Sequence, residues 1–277
     1  MLNATNTLES DRKRSEAEFH DRREQDRLTM PEPDFERKYT NLKFYAVVQR
    51  SRDYLNRWIE QNARGKRALD YCCGLGQISI ELARAGAKVY ALDISEESVR
   101  TAKRRLAERK LAGNTFVMDA ENLAFEPNSF DAIVISGVLH HLDVRKAYPE
   151  LARVLRPGGR IMCVEALGYN PVINLYRQKT PHLRTDWEKD HILTLKEIGL
   201  ARKYFNKVQL RYFHLFSILA VPFRRTALFR PLWLILDTLD RVILRIPLVR
   251  LLAWQMLFEL SEPIKSPGHT NGAGPHA

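Results

Sequence analysis

The chain has little of what usually announces a site on its own. Its three cysteines, Cys72, Cys73 and Cys163, include no Cys-x-x-Cys pair, which excludes a disulfide framework and a thiolate zinc centre. No apolar run approaches the roughly 18 residues that a bilayer-crossing helix needs. The first 30 residues are almost all polar or charged, so they hold no apolar signal-peptide core. With the odd cysteine count, this points to a reducing, cytoplasmic setting. Internal repeats are absent. Glycine is sparse, at 13 residues in 277, so two glycines close together carry information.

Such a pair lies in Arg67-Ala-Leu-Asp-Tyr-Cys-Cys-Gly-Leu-Gly-Gln-Ile-Ser-Ile80. The segment reads as an apolar strand, an acid at its end, a glycine turn and a helix start. Gly74 and Gly76 can take positive φ and let backbone N–H groups approach a ligand. Asp70 stands at the mouth of the sheet, where open α/β folds bind ligands. The turn lacks the third glycine of a dinucleotide fingerprint, having Ser79 there, and it lacks the lysine of a phosphate-binding loop. A pyrophosphate reader is therefore disfavoured. Four more strands follow in order. Val89–Asp93 and Thr115–Ala120 each carry an acid at the end, Asp93 and Asp119. Phe130–Gly137 is a buried-looking strand that runs into Val138-Leu-His140-His141, and Arg160–Glu165 follows a Pro-Gly-Gly turn at Pro157.

Taken together, Leu55–Leu167 resembles the class I S-adenosylmethionine-dependent methyltransferases. Their first motif appears here as Asp70-Tyr-Cys72-Cys-Gly74-Leu-Gly76, with Cys72 in place of the first glycine. The resemblance implies an α/β fold: a Rossmann-like, seven-stranded, mostly parallel sheet with helices on both faces and the last strand antiparallel. It implies S-adenosyl-L-methionine as the cofactor. Asp70, Cys72, Gly74 and Gly76 would then serve its methionine end, Asp93 with Ile94 the ribose, Asp119 with Ala120 the adenine edge, and Ser136 with Gly137 the region beside the sulfonium. A strand-end acid suits ribose hydroxyls in nucleoside-binding α/β folds generally. His140 and His141 follow the fourth strand, and one of them, His141 by preference, is a candidate general base because imidazole titrates near neutrality. Tyr39 is a candidate to close over the cofactor, and Tyr45 to meet the acceptor.

The remaining segments speak to organisation. Residues 1–30 read as a disordered, charged extension, 31–262 as the methyltransferase domain and 263–277 as a flexible tail. Residues 168–194 form an insertion that in the resembling family often lids the acceptor. Asn170 caps a short helix there with Pro171 at its first position, and His182, Arg184 and Trp187 are acceptor-binding candidates. Residues 217–249 are an amphipathic, basic, helical insertion between strands six and seven. Leu228, Leu232, Ile235, Leu239, Val242 and Ile246 recur on one helical face. Residues 202–250 hold ten Lys/Arg against Asp237 and Asp240, a local charge of +8 within the overall +11. Such a face suits an anionic membrane surface, and it serves equally for internal packing or dimerisation. The turn after strand four, Ser136-Gly137-Val138-Leu139, is not the Asn/Asp-Pro-Pro-Tyr/Phe of adenine and glutamine methyltransferases. The leading expectation is methyl transfer to a small amphipathic acceptor such as a lipid, an isoprenoid or quinone, or a glycolipid, at the inner face of the membrane. The alternatives are a soluble enzyme for a polar metabolite or sugar, and a nucleic-acid-binding protein or RNA methyltransferase. Nucleic acid is disfavoured because the basic residues are interleaved with long aliphatics instead of stacking aromatics on a polar stripe. No metal site is expected.

Overall fold

A computed structural model describes residues 2–265. Its centre is a seven-stranded sheet in the order β3-β2-β1-β4-β5-β7-β6. The strands are β1 (Arg67–Tyr71), β2 (Lys88–Asp93), β3 (Asn114–Val117), β4 (Phe130–Ser136), β5 (Leu155–Ala166), β6 (Phe205–Phe213) and β7 (Gln255–Pro263). β7 runs antiparallel to both β5 and β6, while the pairings among β1–β5 are parallel. The expected Rossmann-like sheet with an antiparallel last strand is therefore the observed one.

Strand alternation builds two cores. Leu69 and Tyr71 of β1 with Ile133 and Ile135 of β4 face one way, onto the helix α6 (Val144–Val154). Ala68 with Ala132 and Val134 faces the other way, onto α3 (Gln49–Asn62) and α4 (Gln77–Arg84). Strands buried on both faces are continuously apolar, so three buried acids near the C-terminal ends of β1, β2 and β5, Asp70, Asp93 and Glu165, stand out. From β1 the successive strands are added on one side as far as β3 and then on the other from β4, and this switch opens a crevice beyond the carboxyl ends of β1 and β4.

Two expectations change. Within the expected disordered extension, 1–30, the described residues Leu2–Thr29 form a 28-residue helix, α1. It has no apolar face, so hydrophobic burial cannot order it. It docks through charge instead. Arg12 forms an ion pair with Glu121 at 2.6 Å and Lys13 with Asp119 at 2.7 Å. Ser95 donates to Asp21 at 2.5 Å, and Thr101 to Glu24 at 3.0 Å, which ties α1 to the start of α5 (Glu96–Glu108). The domain thus takes in the N-terminal segment. At the other end β7 continues to Pro263 and Lys265 donates to the backbone oxygen of Ala152 at 2.6 Å. The rest of the expected tail, 266–277, lies outside the described residues.

The insertion between β6 and β7 is helical as expected, with α10 at Phe229–Ile243. Its faces are distributed in an unusual way. Phe229, Leu232, Trp233 and Leu236 pack on Val47, Ala220 and Val221. The carboxylates of Asp237 and Asp240 also point inward, at 1% and 0% exposure. Asp240 accepts the backbone N–H groups of Leu215, Phe216 and Ser217, and Asp237 meets Arg50 at 3.1 Å. Leu228, Ile235, Leu239, Val242, Ile246 and Leu248 are left on the outside.

Candidate functional site

The crevice beyond β1 and β4 holds a cavity of about 270 Å³ lined by Cys72, Gly74, Asp93, Ile94, Asp119, Ala120, Ser136, Gly137 and His141, with α1 as its roof. The glycine turn explains its own geometry. Cys72 keeps a left-handed conformation, φ 58°, the one that a glycine would take at no cost and that costs another residue about 1 kcal/mol. The substitution at the first glycine therefore preserves the loop and adds a side chain to the cavity wall. Burial pushes the Cys72 thiol well above its ordinary range, so it is an inert wall and not a nucleophile. Asp93 spans the turn, accepting from the Gly74 N–H at 2.9 Å and the Ser95 N–H at 3.0 Å. Its burial raises its pKa.

Two motif residues stand behind the cavity. Asp70 is buried, accepts the Ser79 hydroxyl at 2.6 Å and has its pKa pushed up by burial to about 7. Gly76 caps α4 with φ 71°, and a Cβ there would stand 2.8 Å from that of Ala102. Both brace the turn, and neither reaches the cavity wall, contrary to the expected contact with a methionine moiety.

A second cavity of about 220 Å³ shares Ser136, Gly137, His141, His20 and Arg23 with the first. Its other walls include Phe44, Tyr45, Tyr176, Trp254, Arg177, Arg184 and His140. Residues 168–194, expected as a lid, contribute Ile173, Tyr176, Arg177, Leu183, Arg184 and Glu188 to its wall, from α7 (Pro171–Lys179), α8 (Asp186–Asp190) and the chain between them. Asn170 caps α7 as expected, accepting from Val172 and Ile173.

His141 lies where the two cavities meet, and His140 beside it lines the second. Glu165, fully buried at the end of β5, accepts the Val138 and Leu139 N–H groups through one oxygen and meets His140 Nδ1 at 2.8 Å through the other. A carboxylate only accepts, so Nδ1 carries a proton, and Nε2, on the far side of the ring, lies 3.9 Å from Glu188. His141 Nδ1 lies 3.0 Å from Glu16 of α1. Burial opposes charge on His141, but the hydrogen bond to Glu16 and the nearby carboxylates outweigh it, and the net shift is upward. His20 is driven down to about 3, first by burial and then by His141, so it is neutral.

Three expected site residues lie elsewhere. Tyr39 is buried against Phe35 and Leu183 and donates to Asp26 at 2.6 Å. His182 is exposed and lines neither cavity. Trp187 stacks on His191 at 3.6 Å with Arg12 over its ring, outside the acceptor cavity. Reading the sequence also passed over Glu16, Glu121, Glu165, Arg23 and Arg177. Only Glu165 carried a local signal, an acid that ends an otherwise apolar buried strand.

Residues 69–163 match the family model of a methyltransferase domain. A demethylmenaquinone methyltransferase of Geobacillus sp. (strain WCH70) is 32% identical over 136 residues, which are 47% of this chain and 57% of that protein. The corresponding protein of Clavibacter sepedonicus is 45% identical over 103 residues, 36% of this chain and 41% of that one. The chain thus spans about half the length of these relatives. Among solved structures, the Haemonchus contortus phosphoethanolamine N-methyltransferase 2 in complex with S-adenosyl-L-methionine superposes with a TM-score of 0.53 at 19% identity, covering 76% of this chain and 53% of that one. That likeness is one of fold.

Proposed function

We propose that this chain, whose residues 69–163 form a class I S-adenosylmethionine-dependent methyltransferase domain, methylates an amphipathic acceptor of the isoprenoid, quinone or lipid kind that it meets at an anionic membrane surface. The observation that carries this reading is the pair of abutting cavities with His141 in the wall of both and His140 beside it in the second. The first cavity suits the cofactor. Asp93 offers acid oxygens for ribose hydroxyls, Asp119 and Ala120 flank the position for the base, and the Cys72–Gly74 turn offers backbone for the methionine end. Lys13 now holds Asp119 and would release it or share it.

S-adenosylmethionine supplies, when bound, an electrophilic methyl group on a sulfonium. The protein's own contribution is placement and proton handling. Ser136 and Gly137, common to both cavities, form the passage between them. His140, oriented by Glu165 and presenting Nε2, takes the acceptor's proton. This shifts the base role from His141, which is engaged with Glu16, to its neighbour. The aromatic walls of Phe44, Tyr45, Tyr176 and Trp254 favour a flat or isoprenoid body over a sugar.

Membrane contact rests on α10. Its outward side shows Leu228, Ile235, Val242 and Leu248 at 63%, 67%, 58% and 80% exposure, rimmed by Arg225, Arg230, Arg241 and Arg245. Apolar side chains rimmed by arginine are complementary to an anionic bilayer interface. Among the described residues no helix is long and apolar enough to cross a membrane. Phe44 and Trp254 border the acceptor cavity and also pack on the cluster that supports α10, so a lipid has a short way to travel.

Calorimetry with S-adenosylhomocysteine tests the cofactor site: we expect binding to the wild type and a loss of about tenfold or more in Asp93→Ala, and equal affinities would refute the assignment. Co-sedimentation with phosphatidylserine vesicles tests the surface. Ile235→Glu/Val242→Glu, which alters only exposed positions, should stay in the supernatant while the wild type pellets. Trp233 is a poor probe because its indole N–H donates to the Val47 carbonyl at 3.1 Å.

A further inference from the structure

The acceptor cavity holds more positive charge than its own carboxylates can balance. Arg177 and Arg184 have side chains only 13% and 8% exposed, and both lean on one oxygen of Glu188, at 3.4 and 3.3 Å. The Arg184 Nε makes no hydrogen bond despite that proximity and is buried. Arg23 of α1 lines the same cavity with a buried Nε that also lacks an acceptor, and no carboxylate among the described residues pairs with it. Glu165, the other acid of the cavity, is committed to two backbone N–H groups and to His140. Three guanidiniums therefore face one available carboxylate. The three are not wholly unpartnered, since Arg177 donates to the Glu188 carbonyl at 2.7 Å, Arg184 to the Thr180 carbonyl at 2.8 Å, and Arg23 lies over the Tyr39 ring; what is missing is anionic oxygen to match their charge, and burial together with mutual repulsion already holds Arg177 below its ordinary pKa. Guanidinium forks match the planar or tetrahedral oxygens of carboxylate and phosphate.

We infer that the acceptor carries an oxyanion, a carboxylate or a phosphate, seated on Arg23, Arg177 and Arg184 while its nucleophilic atom faces His140. This deepens the reading above and rests on it. The substrate class narrows from neutral amphiphiles to acidic ones. The aromatic wall takes the apolar body, and the arginines fix which end enters and how far, so that one particular atom comes to the passage at Ser136 and Gly137.

The test uses the full chain saturated with S-adenosylhomocysteine and three probes that share one isoprenoid body: farnesyl phosphate, farnesoic acid and farnesol. Calorimetry should give at least about tenfold tighter binding for an anionic probe than for farnesol. The better of the two anions then says whether the head is phosphate or carboxylate. Arg184→Gln should erase most of that preference and leave farnesol and S-adenosylhomocysteine binding unchanged. Because Arg184 also holds the Thr180 carbonyl, Arg23→Gln on α1 serves as a second variant and should reduce the preference by about tenfold. Equal binding of all three probes, no binding of any of them, or variants that weaken farnesol as much as the anions would each overturn the inference. None of these results would touch the cofactor assignment, which is tested separately by S-adenosylhomocysteine binding to the wild type and to Asp93→Ala.

Discussion

The contact between Glu16 and His141 makes the docking of α1 sensitive to pH in a predictable sense. The two side chains are 7% and 15% exposed and 3.0 Å apart, and Thr185 donates to the other Glu16 oxygen at 2.5 Å. Burial raises the Glu16 pKa, but the bonds from His141 and Thr185 prevail and leave it below its ordinary 4.5. His141 is held above its ordinary 6.5. A raised histidine contributes in full below its ordinary value and loses that contribution as pH climbs through the raised one. A lowered carboxylate contributes above its ordinary value and loses that as pH falls through the lowered one. The latch is therefore firmest in mildly acidic solution and loosens on the alkaline side. A charge-assisted hydrogen bond is worth about 1.5–3 kcal/mol and a neutral replacement about 1 kcal/mol. Glu16→Gln, which keeps an acceptor for Thr185, should accordingly raise the opening of α1 by about tenfold at about pH 6. Amide hydrogen exchange over residues 10–29, corrected for intrinsic rate, reads this directly. The wild type should approach the variant as the pH climbs into the alkaline range and His141 loses its charge, and the variant itself should show little pH dependence. Identical protection of the two proteins at the acidic pH would refute the latch, as would a wild type whose protection ignores pH.

Two further outcomes are expected. His140→Gln should lower turnover by about 100-fold, the usual contribution of a general base, with S-adenosylhomocysteine affinity unchanged; Glu165→Gln should give a smaller loss, and undiminished turnover in His140→Gln would return the base role to His141 or remove it. At the left-handed turn, Cys72→Gly should shift the melting temperature little, because relief of the left-handed strain offsets the entropy glycine adds to the unfolded chain. Cys72→Val should cost about 2 kcal/mol, since a β-branched residue tolerates positive φ poorly. Equal melting of the two variants would show that the turn adapts to its side chain.

The sheet was legible because its signals are local. Apolar runs such as Ile133–Ile135, acids at strand ends and a glycine turn before a helix need no knowledge of distant residues. The capping of α7 by Asn170 was readable for the same reason. What escaped depended on partners remote in the chain. α1 has the composition of a disordered segment and orders because Asp119 and Glu121, more than a hundred residues away, complement Arg12 and Lys13. The stripe on α10 was visible, but its orientation was not: periodicity gives a face without saying what the face meets, and here buried aspartates claimed the inner side. Tyr39 and Trp187 were plausible by position and were claimed by local aromatic packing. Glu165 had a role that only its approach to Val138 and His140 reveals.

His20 and Arg23 wall both cavities from the same helix. The two cavities therefore have a common door. Under the function proposed above, whatever lifts α1 would expose both at once, the spent cofactor and the methylated product would share one exit event, and the opening frequency of a single polar helix would set a ceiling on turnover.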